Sequence, residues 1–330
     1  MWQPLRTKDA LAQFKFGFSD LKEELDLDIN MIKNKLKKDF ERNYLDQVNY
    51  NIPNAKQRKQ TEQYLPKDMS ALYAQYIFIT DNKAPLGEKN KLTSNDKYNS
   101  IYMKAHKKYH QSFDVILNKY GLYDIFLVDL EGNLIYTDFK EKDFATNLKT
   151  GVYRDTGIAR VYNKALTLQE GEVAFDDFAP YEPSYNSPAS FIATPIYEFG
   201  SIAGVLIFQM PVDTLNQMMS FNGKYEEAGM GESGEIYLIG TDYKMRNNSR
   251  FTKDIDSDIV QQLKSTIGVF EVKSDSTKAV IESNQKGSWV IDDYRGVSVL
   301  SVYDSIDIYN QTKWAIISEI DEAEAISRPL

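Results

Sequence analysis

The segment from residue 176 to residue 188 holds the densest set of side chains that could bind a small polar molecule. The run Tyr181-Glu182-Pro183-Ser184-Tyr185-Asn186-Ser187-Pro188 offers two tyrosine hydroxyls between two prolines, and the carboxylates of Asp176 and Asp177 precede it. Hydroxyls and carboxylates hydrogen-bond to polar ligands, while the prolines restrict the backbone that carries them. A surface loop between two strands, rich in turn-forming residues, explains the same run equally well.

Two upstream arginines could bind a carboxylate. The run Tyr153-Arg154-Asp155 and the side chain of Arg160 lie close together in the sequence. Guanidinium groups bind carboxylates through two parallel hydrogen bonds. For either arginine taken alone, a solvent-exposed surface position is the stronger expectation.

The sequence predicts no metal site and no cofactor site. His106 and His110 are the only histidines and share one face of a predicted helix, but no acidic residue at helical spacing supplies a third ligand. They are predicted to be ordinary surface or packing residues. The run Asp254, Asp256 and Asp258 lacks the central glycine and closing glutamate of a calcium loop, so we interpret it as the start of a helix.

Enzyme chemistry has no support in the sequence. The chain contains no cysteine, which excludes disulfides, thiol nucleophiles and cysteine-based metal centres. It also lacks Gly-x-Ser-x-Gly, the phosphate-binding Gly-x-x-x-x-Gly-Lys-Ser/Thr and His-Glu-x-x-His. We therefore predict a protein that is not an enzyme.

Length and net charge limit the classes of protein to which the sequence can belong. A chain of 330 residues predicts two compact units, or one unit with a large helical appendage. The net charge of -9 argues against a nucleic-acid partner, which requires clustered Lys and Arg. No run of 18 apolar residues is present, and the start Met1-Trp2-Gln3-Pro4 does not resemble a secretory signal.

The N-terminal region is predicted to be one long helix over residues 8–48. Its apolar residues recur at steps of three and four, which places them on one stripe. A helix of this length measures on the order of 60 Å and must pack against its own modules or a second copy. Pro53 and Pro66 predict a break over 49–70, and a second helix is predicted over 97–119, ending before Gly121. The stripe comprises Leu11, Phe14, Phe18, Leu21, Leu25, Ile29, Ile32, Leu36, Phe40 and Tyr44.

Strands follow in two similar sets. The first begins with a hairpin whose β-prone runs, 123–128 and 134–137, flank Gly132-Asn133. After it we predict a helix over 156–166 and strands over 171–178, 189–197 and 203–210. The second set has a strand over 234–240 with a hairpin partner over 243–246, a helix over 255–265, and strands over 268–273, 288–292, 296–304 and 312–320. The predicted fold class is α+β, a long N-terminal helix followed by two PAS-like modules with antiparallel sheets.

Four passages in this arrangement resemble the double Cache sensor domains of bacterial receptors. They are Tyr123-Asp124-Ile125-Phe126-Leu127-Val128-Asp129 with Gly132, Asn133 and Tyr136; Asp143-Phe144-Ala145-Thr146-Asn147-Leu148; Gly231-Glu232-Ser233-Gly234-Glu235-Ile236-Tyr237-Leu238 with Met245-Arg246; and the stretch from Trp314 to Ala325. The resemblance covers roughly residues 70–325.

The resemblance implies a helical region over 1–120, a membrane-distal ligand-binding module over 121–220 and a membrane-proximal relay module over 221–330. It also implies a periplasmic or extracellular position between two transmembrane helices that this chain lacks. The cytoplasmic output in that family is a methyl-accepting chemotaxis rod, or less often a histidine kinase or nucleotide cyclase. The apolar stripe over 11–44 would suit a homodimer of the full receptor.

The expected pocket lies between the concave face of the first sheet, over 171–210, and a cover of helix and loop over 138–166. The residues expected to bind the ligand are Tyr136, Phe144, Tyr153, Arg154, Arg160, Asp177, Tyr181, Tyr185, Phe208 and Gln209.

The ligand class follows only in part from the resemblance. Amino-acid-binding members carry Arg-x-Trp-Tyr near the cover helix and an aspartate late in the module. This chain has no Trp between Trp2 and Trp289, and Gln209 stands where that aspartate is expected. A carboxylate, another polar metabolite or an aromatic compound is therefore expected rather than a free amino acid. The rival classes are a periplasmic solute-binding protein, which needs parallel βαβ lobes, and an adhesin-like structural module.

Overall fold

The computed structural model describes residues 4–49, 58–210 and 212–327. Its backbone divides into two compact units, Met1–Met210 and Pro211–Leu330. The N-terminal helices belong to the first unit and share one hydrophobic core with its sheet.

The N-terminal region is helical, as predicted, but the prediction of one continuous helix over 8–48 is wrong. Helix α1 ends at Glu24, and α2 begins at Ile29 because the Asp28 carboxylate accepts hydrogen bonds from the backbone N–H groups of Asn30 and Met31. An aspartate that caps a new helix in this way ends the previous one. The segments are α1 (Pro4–Glu24), α2 (Ile29–Phe40), a π-helical turn (Glu41–Leu45) and α3 (Asp46–Val48).

The apolar stripe is nevertheless buried across the break, apart from the half-buried Ile29.

A further helix, α4 (Met69–Gln75), continues into a π-helical turn (Tyr76–Thr80). Pro66 precedes α4, and Pro53 lies outside the described residues. Helix α5 (Ile101–Tyr120) begins after the N-cap Ser100 and ends at Gly121, whose φ of 63° closes the helix as predicted.

The first sheet contains five antiparallel strands in the order β2-β1-β5-β4-β3. The predicted hairpin forms β1 and β2, and the predicted helix forms α6 (Gly157–Ala165), which packs on β3 and β4. The strands are β1 (Asp124–Asp129), β2 (Leu134–Thr137), β3 (Ala174–Tyr181), β4 (Ser187–Glu198) and β5 (Ser201–Gln209).

The second sheet contains four antiparallel strands in the order β6-β9-β8-β7. The runs predicted as strands over 243–246 and 268–273 form only isolated bridges, such as that between Lys244 and Glu271. The sheet comprises β6 (Glu235–Ile239), β7 (Gly287–Asp292), β8 (Ser298–Ile308) and β9 (Thr312–Asp321); the helices are α7 (Val212–Met219), α8 (Asp258–Leu263), α9 (Asp275–Ser283) and α10 (Glu322–Ser327).

Helices α8 and α9 of the second unit differ in how well they were predicted. Helix α8 begins at Asp258, so the aspartate run starts a helix as predicted. Helix α9, which packs on β7, β8 and β9, was not predicted. The α+β fold class with two antiparallel sheets is confirmed. In the part of the chain that the structure describes, every helix is too short or too polar to cross a bilayer.

The backbones of two helices come close together where Gly17 of α1 crosses α5. A Cβ atom at residue 17 would lie 2.5 Å from the backbone nitrogen of Tyr102, which is less than any normal contact. Glycine is therefore required by space at this position, although alanine is usually the better helix former by about 1 kcal/mol.

We predict that Gly17→Ala lowers the free energy of unfolding by about 1–3 kcal/mol, the usual cost of overpacking a core. Chemical denaturation measures the change, with Ser19→Ala on the exposed side of α1 as the control. An unchanged or higher stability for Gly17→Ala would contradict the close packing of α1 on α5.

Candidate ligand-binding site

The two faces of the first sheet are covered by different helices. A side chain at Gly157 of α6 would meet the ring of Phe191, which pairs with Gln209 across β4 and β5. On the opposite face, a side chain at Gly204 would meet Leu11 of α1. Because strand residues alternate between faces, Gln209 lies on the α6 face and its neighbour Phe208 on the α1 face.

The predicted site residues are divided between these faces. Tyr181 joins Gln209 on the α6 face, where its ring packs against Phe191 at 5.0 Å between centroids. Tyr136 packs against Phe14 of α1 and Phe113 of α5, at 4.7 and 4.8 Å. Tyr136 is therefore a core residue on the α1 face, and the half-buried Phe208 packs against the same core, away from Tyr181 and Gln209.

Asp124, at the start of β1, is a fully buried carboxyl group on the α6 face. It pairs directly with Gln209 of β5 and has no exposed surface. Its Oδ1 atom accepts hydrogen bonds from the backbone N–H groups of Ile125, Asp138 and Phe139, at 2.7, 2.9 and 3.3 Å. Its Oδ2 atom is buried without a donor.

Two more buried acceptors lie in the same region. Asp143, in the loop after β2, accepts a hydrogen bond from the Tyr181 hydroxyl through Oδ2, while its Oδ1 has no donor. The Oε1 atom of Gln209 is also buried without a donor. We call Asp124, Asp143 and Gln209 the acceptor cluster. Unpaired buried acceptors each cost about 1–3 kcal/mol, so the cluster is a candidate ligand site.

Glu141 connects this cluster to a cavity of 340 Å³. Its carboxylate accepts hydrogen bonds from the hydroxyls of Tyr123 and Ser184, at 2.9 and 2.7 Å. The ring of Tyr123 stacks on Phe139 at 5.3 Å. The cavity is also lined by Lys89, Lys140, Lys142, Pro183 and Tyr185, among others.

Burial raises the pKa values of the acidic groups in this region. It raises the pKa of Asp143 to about 6, and burial together with the nearby Asp143 raises the pKa of Glu141 to about 7. Burial, then repulsion from Asp138, Asp143 and Glu141, raises the pKa of Asp124 well above its usual range. The carboxyl groups therefore hold protons or require a cation when they ionise.

Three nearby cations already have partners. Lys142 pairs with Asp39. The Arg160 guanidinium binds both carboxylate oxygens of Asp176, at 2.8 and 2.7 Å. The ammonium group of Lys140 donates to the Thr137 carbonyl and lies 4.3 Å from the centre of the Tyr136 ring.

Tyr153 and Tyr185 belong to an aromatic cluster at the edge of this unit. The hydroxyls of Tyr153 and Tyr44 are 3.0 Å apart, and Tyr44 also donates to Glu182 at 3.2 Å. Tyr185 packs on Tyr44 at 5.6 Å, and its hydroxyl donates to the Asn43 carbonyl. The contribution of Tyr44 from the N-terminal helical region was not predicted.

The remaining predicted site residues lie elsewhere in the unit. Arg154 is half-exposed and lines a separate cleft of 660 Å³. Asp177 is half-buried beside the bulge in β3, where its carboxylate accepts from the N–H group of Phe178. Phe144 packs edge-on against Phe78.

The two histidines are buried packing residues, which is one of the two predicted alternatives. Their rings stack at 4.3 Å, and Nδ1 of His110 lies 2.7 Å from the Tyr136 hydroxyl. Burial lowers the pKa of His110 to about 3, so its ring is neutral at physiological pH. Among residues 4–49, 58–210 and 212–327, no three His, Cys, Asp or Glu side chains form a metal site.

A family comparison agrees with this architecture. The model of the Cache domain family, dCache_1, matches residues 20–329. The chain belongs to the Cache domain family. Members are extracellular sensor domains of membrane receptors, which confirms the expectations of a sensor and of its fold. No curated protein matches the chain.

Several solved structures resemble this Cache domain at low identity. They include the extracellular domain of vpHK1S-Z8, described as a histidine kinase, with 14% identity, a TM-score of 0.45 and coverage of 98% of this chain and 94% of that chain. The ligand-binding domain of the Pseudomonas aeruginosa PAO1 amino acid chemoreceptor PctB, in complex with L-Arg, has 14% identity, a TM-score of 0.41 and coverage of 67% and 82%. That of the Pseudomonas fluorescens chemoreceptor CtaA with L-alanine has 15% identity, a TM-score of 0.40 and coverage of 77% and 86%.

The acidic residues of this Cache domain site, Asp124, Glu141 and Asp143, were not predicted. A usable signal was present in the sequence, because Asp124 directly precedes the apolar run Ile125-Phe126-Leu127-Val128 within one predicted strand, and the structure buries all six residues of β1. A charged residue in such a strand is rare unless it has a partner or a function. The sequence offered no carboxylate beside Gln209, whereas the pairing of β1 with β5 supplies one.

We predict that Asp143→Asn stabilises the unliganded Cache domain by about 1–3 kcal/mol at pH 8 and hardly at all at pH 4. Because the folded-state pKa of Asp143 is raised from 3.8 to about 6, its protonated form stabilises the fold below pH 4, and this contribution is lost as the pH rises through 6. Asparagine remains neutral throughout and can still accept the hydrogen bond from Tyr181.

Denaturant titration at both pH values measures the difference. The control is Asp155→Asn, at a side chain that is 84% exposed. An equal gain at pH 4 and pH 8 would show that the benefit of Asp143→Asn does not come from removing a buried charge.

Proposed function

We propose that this Cache domain senses a small molecule bearing a protonated amine, bound on the α6 face of the first sheet. The observation that carries this proposal is the set of three buried acceptors without a donor, Asp124 Oδ2, Asp143 Oδ1 and Gln209 Oε1. A primary ammonium group has three N–H donors and no acceptor, so it complements such a set.

Electrostatics support the same ligand class. Asp143 and Glu141 each contribute to the raised pKa of Asp124. A cation placed among these carboxylates would offset their mutual repulsion, whereas an anion would add to it. Truncating one partner of a buried charge pair usually costs 2–5 kcal/mol or more, so the acidic groups would make a large contribution to affinity.

The cavity beside Glu141 gives the remainder of the ligand a place to bind. Its volume of 340 Å³ lies at the lower end of the range for small-molecule sites, about 300–1,000 Å³. The stacked rings of Tyr123 and Phe139 offer an apolar wall. A small amine with a flat or aliphatic body fits this combination of groups.

A simple carboxylate is less well supported as the ligand. Arg160, the side chain expected to bind it, is already held by Asp176 through two hydrogen bonds. An anion binding there would have to compete with a carboxylate that is fixed in place by the sheet. The amine proposal requires no such exchange.

We further propose that the sensor lies outside the cytoplasm and is joined to the membrane through flanking transmembrane helices. Its output would be a methyl-accepting chemotaxis module, with a histidine kinase or nucleotide cyclase as the alternative. Ligand binding would transmit a signal only through different affinities for two conformations. Fully antiparallel sheets argue against the rival class of periplasmic solute-binding proteins.

We predict that an amine ligand raises the stability of the purified chain and that Asp124→Asn weakens its binding at least 30-fold, or about 2 kcal/mol. Asparagine can keep the three backbone hydrogen bonds to Oδ1, so the fold should persist, but its amide group cannot neutralise the amine. A thermal-shift screen of amines, amino acids, organic acids and sugars identifies the ligand, and calorimetry measures affinity. At 100 times its dissociation constant, a ligand adds about 2.7 kcal/mol.

The matched controls are Asp155→Asn and an analogue of the ligand in which a hydroxyl replaces the amine. We expect full affinity for the first and loss of binding for the second. If only amine-free molecules stabilise the chain, or if Asp124→Asn binds normally, the proposed site is wrong.

Affinity should also depend on pH. The amine requires ionised carboxylates, and the pKa values of Asp143 and Glu141 are about 6 and about 7. Binding should therefore weaken as the pH falls through this window, by up to tenfold per pH unit for each proton displaced. Calorimetry between pH 5 and pH 8 tests this dependence, and a constant affinity would contradict it.

A further inference from the structure

The second unit contains a pair of buried carboxyl groups, one from each of two neighbouring strands. Glu235 of β6 and Glu319 of β9 are directly opposite each other in the strand register, and each is 2% exposed. Residues directly opposite in an antiparallel pair have their side chains on the same face, with Cβ atoms about 5 Å apart. The two carboxyl groups therefore share one interior region.

Hydroxyl groups surround this pair. Glu319 accepts hydrogen bonds from Tyr237 at 2.8 Å and from Ser301 at 2.9 Å. Glu235 accepts from the hydroxyls of Tyr294 and Ser249. It also accepts from the backbone N–H group of Arg250, at 3.1 Å.

No ion pair joins either glutamate to a cation in the described part of the second unit. The guanidinium of Arg250 donates to the carbonyls of Gly234 and Gly231, while Arg295 binds Asp293 and Asp321. The ionisable side chains that interact with the pair are Tyr237 from β6 and Asp293, Tyr294 and Arg295 from the connection of β7 to β8. Helix α9 contributes the uncharged Ser276.

We propose that the Glu235–Glu319 pair is a proton-binding switch, which holds a proton at mildly acidic pH and releases it as the pH rises through neutrality. Two ionised carboxylates in one buried region repel each other, so binding one proton relieves the repulsion. The inference concerns the second unit and does not depend on the ligand proposed for the first.

The hydrogen-bond pattern provides a place for the proton on Glu319. Ionised Glu319 accepts from Ser301, whose oxygen lies 2.7 Å from the hydroxyl oxygen of Ser276. When Glu319 is protonated, it can donate to Ser301, and Ser301 can donate in turn to Ser276. The chain of hydrogen bonds from Glu319 of β9 through Ser301 of β8 to Ser276 of α9 can thus reverse its donor direction without losing a bond.

The direction of the pKa shifts agrees with this geometry. Burial, together with Asp293 and Glu235, raises the pKa of Glu319 from 4.5 to about 7, and burial raises that of Glu235. Because the folded-state pKa of Glu319 exceeds its unfolded value, protonation stabilises the fold below about pH 4.5. This contribution is lost as the pH rises towards 7, by up to tenfold in the folding equilibrium constant per pH unit.

The direct test is a carbon-13 NMR titration of glutamate carboxyl groups in the full chain. The signal that disappears in Glu319→Gln belongs to Glu319, and we expect its midpoint near pH 7. We expect Glu235→Gln to lower that midpoint because it removes the neighbouring charge. We also expect Ser276→Ala to lower it, because the hydrogen-bond chain from protonated Glu319 through Ser301 loses its last acceptor. The exposed Glu226 serves as the control, with Glu226→Gln leaving the midpoint unchanged.

A Glu319 midpoint below pH 5 would overturn the proposal, as would a midpoint unaffected by Glu235→Gln. If the Glu235 and Glu319 variants do not fold, the wild-type chain and Glu141→Gln still decide the question. Every carboxyl carbon of its glutamates can be followed, and the proposal requires a resonance that titrates near neutrality and persists when the first-unit residue Glu141 is replaced by Gln. Its absence would overturn the proposal.

Discussion

In both units, β-strands place carboxyl groups in the protein interior. Removing an ionised carboxylate from water costs several kcal/mol. In the first unit, three backbone N–H groups donate to one carboxylate oxygen of Asp124 and partly offset this cost, while the second oxygen has no donor. The second unit surrounds Glu235 and Glu319 with hydroxyl donors. The positions of the covering loops depend on these bonds, because the loop after β2 and the turn after β7 both supply partners.

The helical part of the first unit makes such an interior possible. Helices α1 and α5 cover one face of the sheet with aromatic side chains, including Phe14, Tyr102 and Phe113. Their close contact requires Gly17. Asp124 of β1 and Gln209 of β5 lie on the opposite, α6 face of the sheet. An aromatic core and the proposed ligand site thus occupy opposite sides of one five-stranded sheet.

Much of the fold could be predicted because hydrophobic periodicity and turn residues are local signals. The hairpin at Gly132-Asn133, the end of α5 at Gly121 and all five strands of the first sheet follow from them. The break at Asp28 was missed because an aspartate within an apolar stripe can lie on the exposed side of a helix or cap a new one. The site was harder to predict: Tyr181 and Gln209 lie on one face, whereas Tyr136 and Phe208 lie on the other. The β-bulges in β1–β2 and β3–β4 further obscure the alternation of faces.

The sequence by itself determined most element types of the first unit, the presence of two antiparallel sheets and the sensor family, because these depend on local periodicity, on turn residues or on motifs retained in order. It also excluded cysteine chemistry and the familiar enzyme motifs. Only the tertiary structure decided which polar groups share an interior. Asp124 and Gln209 are 85 positions apart and Glu235 and Glu319 are 84 apart, yet each pair is brought together by strand register. Burial, which sets their pKa values, is likewise a property of the folded chain.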